Sequence, residues 1–208
     1  MNSRITMVMF ALILMGCATS SATYNPPDVS GRIANSKQVD KPFDQLWDSL
    51  VRQLSSDFFV INNIDKSSRL INLSFSSSTP SKYIDCGRTI RKFSDARGEQ
   101  VFDYATADSA KFQASTPQGT TLNVTRGTRL EGRSNIYIAP HSAGSEVSVN
   151  TKYVLQVTMS ATDPLGRPAG TLTTPIDFST KQPSTSGTDN ATCKSIGAIE
   201  QTILDMAK

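Results

Sequence analysis

The sequence is poor in the residues that build metal centres and Cys–His catalytic pairs. Its 208 residues include one histidine, His141, and three cysteines. Zinc sites need three or four His, Cys or carboxylate ligands at short spacings, and the sequence holds no His/Cys cluster of that kind. It also lacks a glycine-rich phosphate loop and a nucleophile elbow. We therefore expect no metal, no cofactor and no enzymatic activity, with a hydrolase that uses Asp or Ser without His as an alternative.

The charge of the chain is small and mixed. The formal net charge is +3, and it becomes +2 without the first sixteen residues, which contain Arg4 and no acid. Nucleic-acid-binding domains commonly carry a strong basic excess, so we expect no nucleic-acid partner. Abundant Ser and Thr together with modest charge are typical of a β-rich domain outside the cytoplasm.

The sequence has no long hydrophobic run. Its longest apolar stretch lies at the start of the chain. Ile5 to Met15 is apolar except for Thr6. At roughly eleven residues the run is too short to span a bilayer, which needs about twenty, but its length is typical of a signal-peptide core. It predicts a signal peptide over residues 1–16. An ordinary secretory signal and a short buried helix are the alternatives.

The residues Leu14-Met15-Gly16-Cys17 resemble the lipobox of bacterial lipoprotein precursors. The resemblance implies that the thiol of Cys17 carries a diacylglycerol, that the signal peptide is cut before it, and that the new amine is acylated. Met15 departs from the small or aliphatic residue usual there. Several acyl chains, palmitate among them, anchor a protein firmly, whereas one chain is marginal. Because Ala18 stands where Asp favours inner-membrane retention, the resemblance implies the periplasmic face of the Gram-negative outer membrane.

The cysteine count agrees with this interpretation. If Cys17 carries lipid, Cys86 and Cys193 remain as an even pair, and we predict that they form a disulfide bond. Such a bond closes a loop of about 107 residues, for which the chain-entropy model gives a stabilisation of roughly 4–5 kcal/mol. Two unpaired buried thiols or a cysteine nucleophile are the alternatives, but nothing in the sequence places His141 beside either residue.

The chain divides into three parts. After the signal peptide, residues 17–38 comprise the lipidated cysteine and a polar segment with a Pro26-Pro27 pair, which predicts a flexible tether. Recognition of this segment by a partner is the alternative. Residues 39–208 are predicted to form a single periplasmic domain.

Apolar periodicity predicts an α+β fold for that domain. A helical stripe from Phe43 to Leu54 predicts a helix over about 41–55. Two short apolar runs around a polar turn predict a β-hairpin over 58–75. Further strands are predicted at 100–105, 120–126, 135–139, 146–161 and 171–178, and a last helix at 193–207. The predicted order is an N-terminal helix and β-hairpin, an antiparallel β meander, and a C-terminal helix packed on the sheet.

Two groups of basic residues form the candidate binding site. Arg88, Arg91 and Lys92 follow Cys86, and Arg126 and Arg129 lie with Arg133 on a predicted hairpin. If both groups share one face, their forked guanidinium groups suit phosphates or carboxylates of lipopolysaccharide or peptidoglycan. Ordinary solvated loop charge is the alternative.

In its pattern of elements, the chain resembles outer-membrane accessory lipoproteins with helix-grip domains, of the BamC type. The resemblance lies in the lipobox, the helix and hairpin, the meander and the closing helix, and it transfers no functional residue. It implies a non-catalytic accessory module, with a protein partner in a cell-envelope assembly or secretion complex. A binding protein for anionic envelope glycan or lipid is the alternative function.

Overall fold

The computed structural model describes residues 18–185 and 191–208, and strands dominate them. Strands account for 57% and helices for 14% of the structure. The predicted α+β class is therefore wrong, and the first element is a strand rather than a helix. The predicted signal peptide over residues 1–16 and the predicted lipidation site, Cys17, lie outside the described residues.

Two α-helices and thirteen strands make up the regular structure of the described residues. A single 3-10 turn, Pro80–Lys82, precedes the fifth strand. Along the chain, the elements are β1 Thr19–Asn25, β2 Ser36–Val39, α1 Phe43–Ser55, β3 Val60–Asp65, β4 Leu70–Ser77, β5 Ile84–Asp85, β6 Arg88–Asp95, β7 Gly98–Ala105, β8 Ala110–Ser115, β9 Thr121–His141, β10 Gly144–Thr162, β11 Pro168–Ser179, β12 Ser184–Thr185, β13 Thr192–Ser195 and α2 Ala198–Met206. The predicted helix over 41–55 is confirmed as α1, and the predicted hairpin as β3 and β4.

Seven strands form the main antiparallel sheet. Their order is β11-β10-β9-β4-β3, with β2 beside β10 and β8 beside β9. Along β10, the odd-numbered residues from Val147 to Val157 are buried and alternate with more exposed polar residues, as the predicted strand over 146–161 requires. This alternation turns one face of the sheet toward the core and leaves the other face in solvent.

Both helices pack on the inner face of this sheet. The apolar stripe of α1, which includes Leu46 and Leu50, is fully buried in one hydrophobic cluster with α2 and the inner strand residues. The C-terminal helix is shorter than predicted, because residues 192–195 form β13. Gly197 separates β13 from α2 with a φ of +81°, a conformation that favours glycine. Ile196 therefore leaves the predicted apolar stripe and is exposed.

Two stretches of the segment predicted as a flexible tether form strands, and the prediction is wrong for them. β1 pairs with β6 along all seven of its residues, beginning with Thr19 opposite Ser94. β2 pairs with residues 145–148 of β10, next to the turn between β9 and β10. Both strands are polar, so they show no apolar periodicity, but main-chain hydrogen bonds hold edge strands whatever their side chains are.

β9 also differs from its prediction, because the two strands predicted at 120–126 and 135–139 form one continuous strand. The sequence between them, Gly127 to Ser134, contains two glycines and was predicted to form a hairpin. In the structure, β9 runs without interruption beside β10 from Asn123 to His141. Gly132 fits this strand because the ring of Phe75 lies over it, where a β-carbon would be 2.2 Å from the ring.

Two small sheets complete the fold. One contains β1, β6 and β7, and the other β12, β13 and β5. The predicted disulfide is confirmed: Cys86, between β5 and β6, is bonded to Cys193 in β13. Within residues 18–185 and 191–208, neither helix is long and apolar enough to cross a membrane.

Candidate functional site

A groove lies on the outer face of the large sheet. Its volume is about 1430 Å³, and its lining comes from β3, β4, β9, β10 and β11 together with the loop Gln182 to Ser184. Phe58 precedes β3, is 49% exposed, and lies at the β3 edge of the groove, across from this loop. The helices cover the other face of the sheet, so the groove is open to solvent.

Strand register places one row of polar side chains across the groove. Ser74 of β4 is opposite Arg133 of β9, Arg133 is opposite Lys152 of β10, and Lys152 is opposite Ser179 of β11. Each residue occupies the outward position of its strand, because the residues beside it point to the core. We call these four residues the cation row.

Amide and carboxylate groups flank the cation row on either side. On one side, the amide nitrogen of Asn72 donates a hydrogen bond of 2.6 Å to the side-chain oxygen of Asn135. On the other side, Glu131 and Asp177 line the groove two residues away along their strands. The groove therefore presents positive, negative and neutral hydrogen-bonding groups within a few residues of one another.

Arg133 and Lys152 are the distinctive pair in this groove. Like charges directly opposite each other on antiparallel strands repel. Neither residue forms an ion pair with any acid in the described part of the chain. Glu131, the nearest acid along β9, pairs instead with Arg129 at 3.3 Å. An anionic group in the groove would relieve this repulsion.

The predicted binding residues on β6 do not share a face. Arg88 pairs with Asp103 at 2.7 Å on the exposed face of the small sheet, and Lys92 pairs with Glu99 at 3.7 Å on the same face. Arg91 points the other way, with its guanidinium carbon 4.3 Å from the centre of the Phe112 ring. Each of these side chains already has a partner within the protein.

The predicted residues on β9 are also divided. Arg126 is only 1% exposed and donates a 2.6 Å hydrogen bond from Nη1 to the carbonyl of Asp108, which makes it part of the interior. Arg129 is exposed but pairs with Glu131. Strand alternation explains the division, since residues 126 and 129 lie at positions of opposite parity. The structure thus does not bring the five predicted residues together.

Sequence reasoning missed Lys152, and it placed Arg133 in the basic group on the predicted hairpin without pairing it with Lys152. The alternation along β10 predicts that Lys152 faces solvent, but only the β9–β10 register reveals that it lies opposite Arg133. That register joins residues nineteen positions apart through a strand that was predicted as two pieces. This pair could have been found only by predicting β9 as one continuous strand.

A second polar cluster lies in the core around Glu200 of α2, which is fully buried. The hydroxyl of Tyr153 donates to its carboxylate at 2.9 Å, and that of Thr180 donates at 2.7 Å. Burial raises the pKa of the Tyr153 phenol, so this group stays a neutral donor. The cluster joins α2 to β10 and to the end of β11, and its burial fits packing rather than contact with a ligand.

The described residues contain no recognisable metal site. Across residues 18–185 and 191–208, no group of three or more His, Cys, Asp and Glu side chains is placed to hold a metal ion. The groove lining contains neither histidine nor cysteine. Compared with protein-family models, curated proteins and solved structures, the chain matches none.

Proposed function

We propose that the chain is a membrane-anchored periplasmic lipoprotein that acts as a non-catalytic interaction module of a cell-envelope assembly or secretion complex. The observation that carries the proposal is the open groove with its mixed charges. Its volume of about 1430 Å³ exceeds the roughly 300–1,000 Å³ of pockets that enclose small ligands. A segment of a larger partner fits such a groove better than a small substrate does.

The anchor and the compartment are supported by separate observations. The lipobox resemblance at Leu14 to Cys17 supports lipid attachment, and the Cys86–Cys193 bond supports an oxidising compartment such as the periplasm. A partner would meet Arg133 and Lys152 with acidic side chains and Asp177 with a basic one. Such charge complementarity fixes the register of a partner more than it adds affinity.

Site-specific photo-crosslinking in cells tests the interaction module. We place a photoreactive side chain at Ser74 in the groove, and a control at Gln100 on the exposed edge of β7. We expect Ser74 to capture a defined envelope protein, and the double variant R133E/K152E to abolish this product. Equal products from Ser74 and Gln100, or a Ser74 product that survives the double variant, would contradict the proposal.

A test of the anchor is independent of the partner. Incorporation of labelled palmitate into the mature protein should depend on Cys17, and Cys17→Ala should remove it. A mature protein whose mass shows an unmodified cysteine would disprove lipid anchoring, whatever the groove binds.

A second function, binding of an anionic envelope glycan or lipid, is favoured by one observation. Arg133 and Lys152 lack acidic partners among the described residues, and they lie beside the amides of Asn72 and Asn135. Guanidinium, ammonium and amide groups together suit a phosphorylated or carboxylated sugar.

Binding of purified lipopolysaccharide or peptidoglycan fragments distinguishes this second function. The variant R133E/K152E should abolish binding, whereas R88E/K92E, which changes the same charge on the small sheet, should not. Equal losses in both variants would indicate a general charge effect and would remove the basis for a glycan site in the groove.

A further inference from the structure

The described chain is packed against the domain from its first residue. Ala18, the first described residue, is 7% exposed, and Thr19 already pairs with Ser94 of β6. The hydroxyl of Ser20 accepts the backbone N–H of Ser115 at 3.0 Å, which ties β1 to β8 as well. The first described residue is therefore already held against the domain by strand pairing.

Three hairpin turns lie at the same end of the molecule as Ala18. The β6–β7 turn follows Asp95, next to the partner of Thr19. The β8–β9 turn over 116–120 follows Ser115, the partner of Ser20. The β10–β11 turn over 163–167 lies beside it, since antiparallel pairing places Thr162 opposite Asn123. We call Ala18 and these three turns the anchor end.

The opposite end of the molecule is far away. The β9–β10 turn begins at His141, and the β3–β4 turn lies beside it through a hydrogen bond from Ile138 to Arg69. β9 alone has 21 residues, which corresponds to roughly 60–70 Å at about 3.3 Å per residue. The described structure therefore has one end at Ala18 and another end far from it.

The anchor end also exposes apolar side chains. Leu165, at the tip of the β10–β11 turn, is 79% exposed, and Leu172, on the strand that follows, is 52% exposed. Arg167 beside this tip is 74% exposed and pairs with Asp163. At a bilayer surface, an exposed leucine beside a charged side chain can bury its apolar surface below the headgroups while the charge stays in water.

From these observations we infer that the anchor end rests directly on the lipid bilayer and that Leu165 enters its headgroup region. The inference rests on the proposed lipid at Cys17, because a lipid there holds Ala18 at the membrane. The anchor end then contacts the bilayer itself rather than a protein. The groove stands away from the membrane, since Glu131 to Asn135 lie ten to fourteen residues beyond Thr121, roughly 30–45 Å.

Lipid quenching tests this orientation on the full lipidated protein. We reconstitute it in vesicles of phosphatidylethanolamine and phosphatidylglycerol that contain a headgroup-quenching lipid. A fluorophore is attached to a single new thiol at Leu165→Cys, or at the control position His141→Cys. We expect the fluorophore at residue 165 to lose most of its fluorescence, and the fluorophore at residue 141 to keep it.

The outcomes separate the orientation from the anchor. Mass spectrometry first establishes whether Cys17 carries lipid, and a missing lipid disproves the proposed anchor and, with it, this orientation. If the lipid is present and the protein stays with the vesicles, equal quenching at residues 165 and 141 overturns the orientation alone. Quenching at residue 141 but not at residue 165 overturns it as well.

Discussion

At the scale of single residues, Asp65 organises the turn between β3 and β4. Its carboxylate accepts hydrogen bonds from the hydroxyls of Ser67 and Ser68 at 2.6 and 2.5 Å. These bonds favour the charged form and lower the pKa of Asp65 to about 2. A lowered pKa stabilises the fold above the unfolded value of about 4, and this contribution is lost as the pH falls toward 2.

The first prediction concerns this titration. A carbon-detected NMR titration should place the midpoint of the Asp65 carboxyl group near pH 2. The double variant S67A/S68A should move the midpoint up toward the ordinary value, since it removes both hydroxyl donors. An unchanged midpoint in the variant would show that these hydroxyls do not set the pKa.

Glu200 provides the second prediction, because its carboxylate is the common acceptor in a buried cluster. Glu200→Ala leaves the hydroxyl of Tyr153 without its acceptor, at about 1–3 kcal/mol, whereas the hydroxyl of Thr180 keeps the carbonyl of Thr151 as an acceptor at 3.2 Å. Glu200→Gln keeps one acceptor oxygen and should lower the free energy of unfolding less. Urea unfolding measures both, and equal losses in the two variants would contradict the hydrogen-bond explanation.

At the scale of elements, Gly132 of β9 leaves room for the ring of Phe75, the residue opposite it on β4. An added β-carbon there would lie 2.2 Å from the Phe75 ring, whereas at Gly127 the nearest atom is 3.9 Å away. The third prediction is that Gly132→Ala lowers the free energy of unfolding by about 1–3 kcal/mol, as overpacking does. Gly127→Ala, on the same strand, should change it little. Similar thermal unfolding of the two variants would show that Phe75 moves aside freely.

The elements that the sequence predicts best are those with strong apolar periods. The stripe of α1 and the alternation along β10 each belong to an element that buries one face, so local pattern and tertiary packing agree. β6 was missed because Arg88, Arg91 and Lys92 interrupt its pattern, although Phe93 is fully buried. Backbone pairing determines this strand, and side-chain pattern does not record backbone pairing.

At the scale of the whole molecule, the candidate site is harder to predict than the elements. The groove needs five strands in register, and the cation row unites Ser74, Arg133, Lys152 and Ser179 from four of them. A shift of one residue in any pairing would turn its side chain to the other face. The sequence could therefore predict basic residues on strands but not which of them meet.

The disulfide also acts at this scale, since it joins residues 107 positions apart. The fourth prediction is that C86A/C193A lowers the free energy of unfolding, by roughly 4–5 kcal/mol if the chain-entropy model holds for a loop of this length. A reducing agent should shift the urea midpoint of the unmodified protein and leave that of the variant unchanged. Identical midpoints for the two proteins under oxidising conditions would contradict the prediction.

The pairing of β1 with β6 has a mechanical consequence. Thr19 is at the outer end of β1, and the strand runs from there toward the middle of the protein, paired at all seven residues. Tension applied at Thr19 along the strand axis loads these pairs together in shear, and no single pair opens first. Detachment of the strand then requires its whole set of main-chain hydrogen bonds to fail at once, a geometry suited to an attachment point under load.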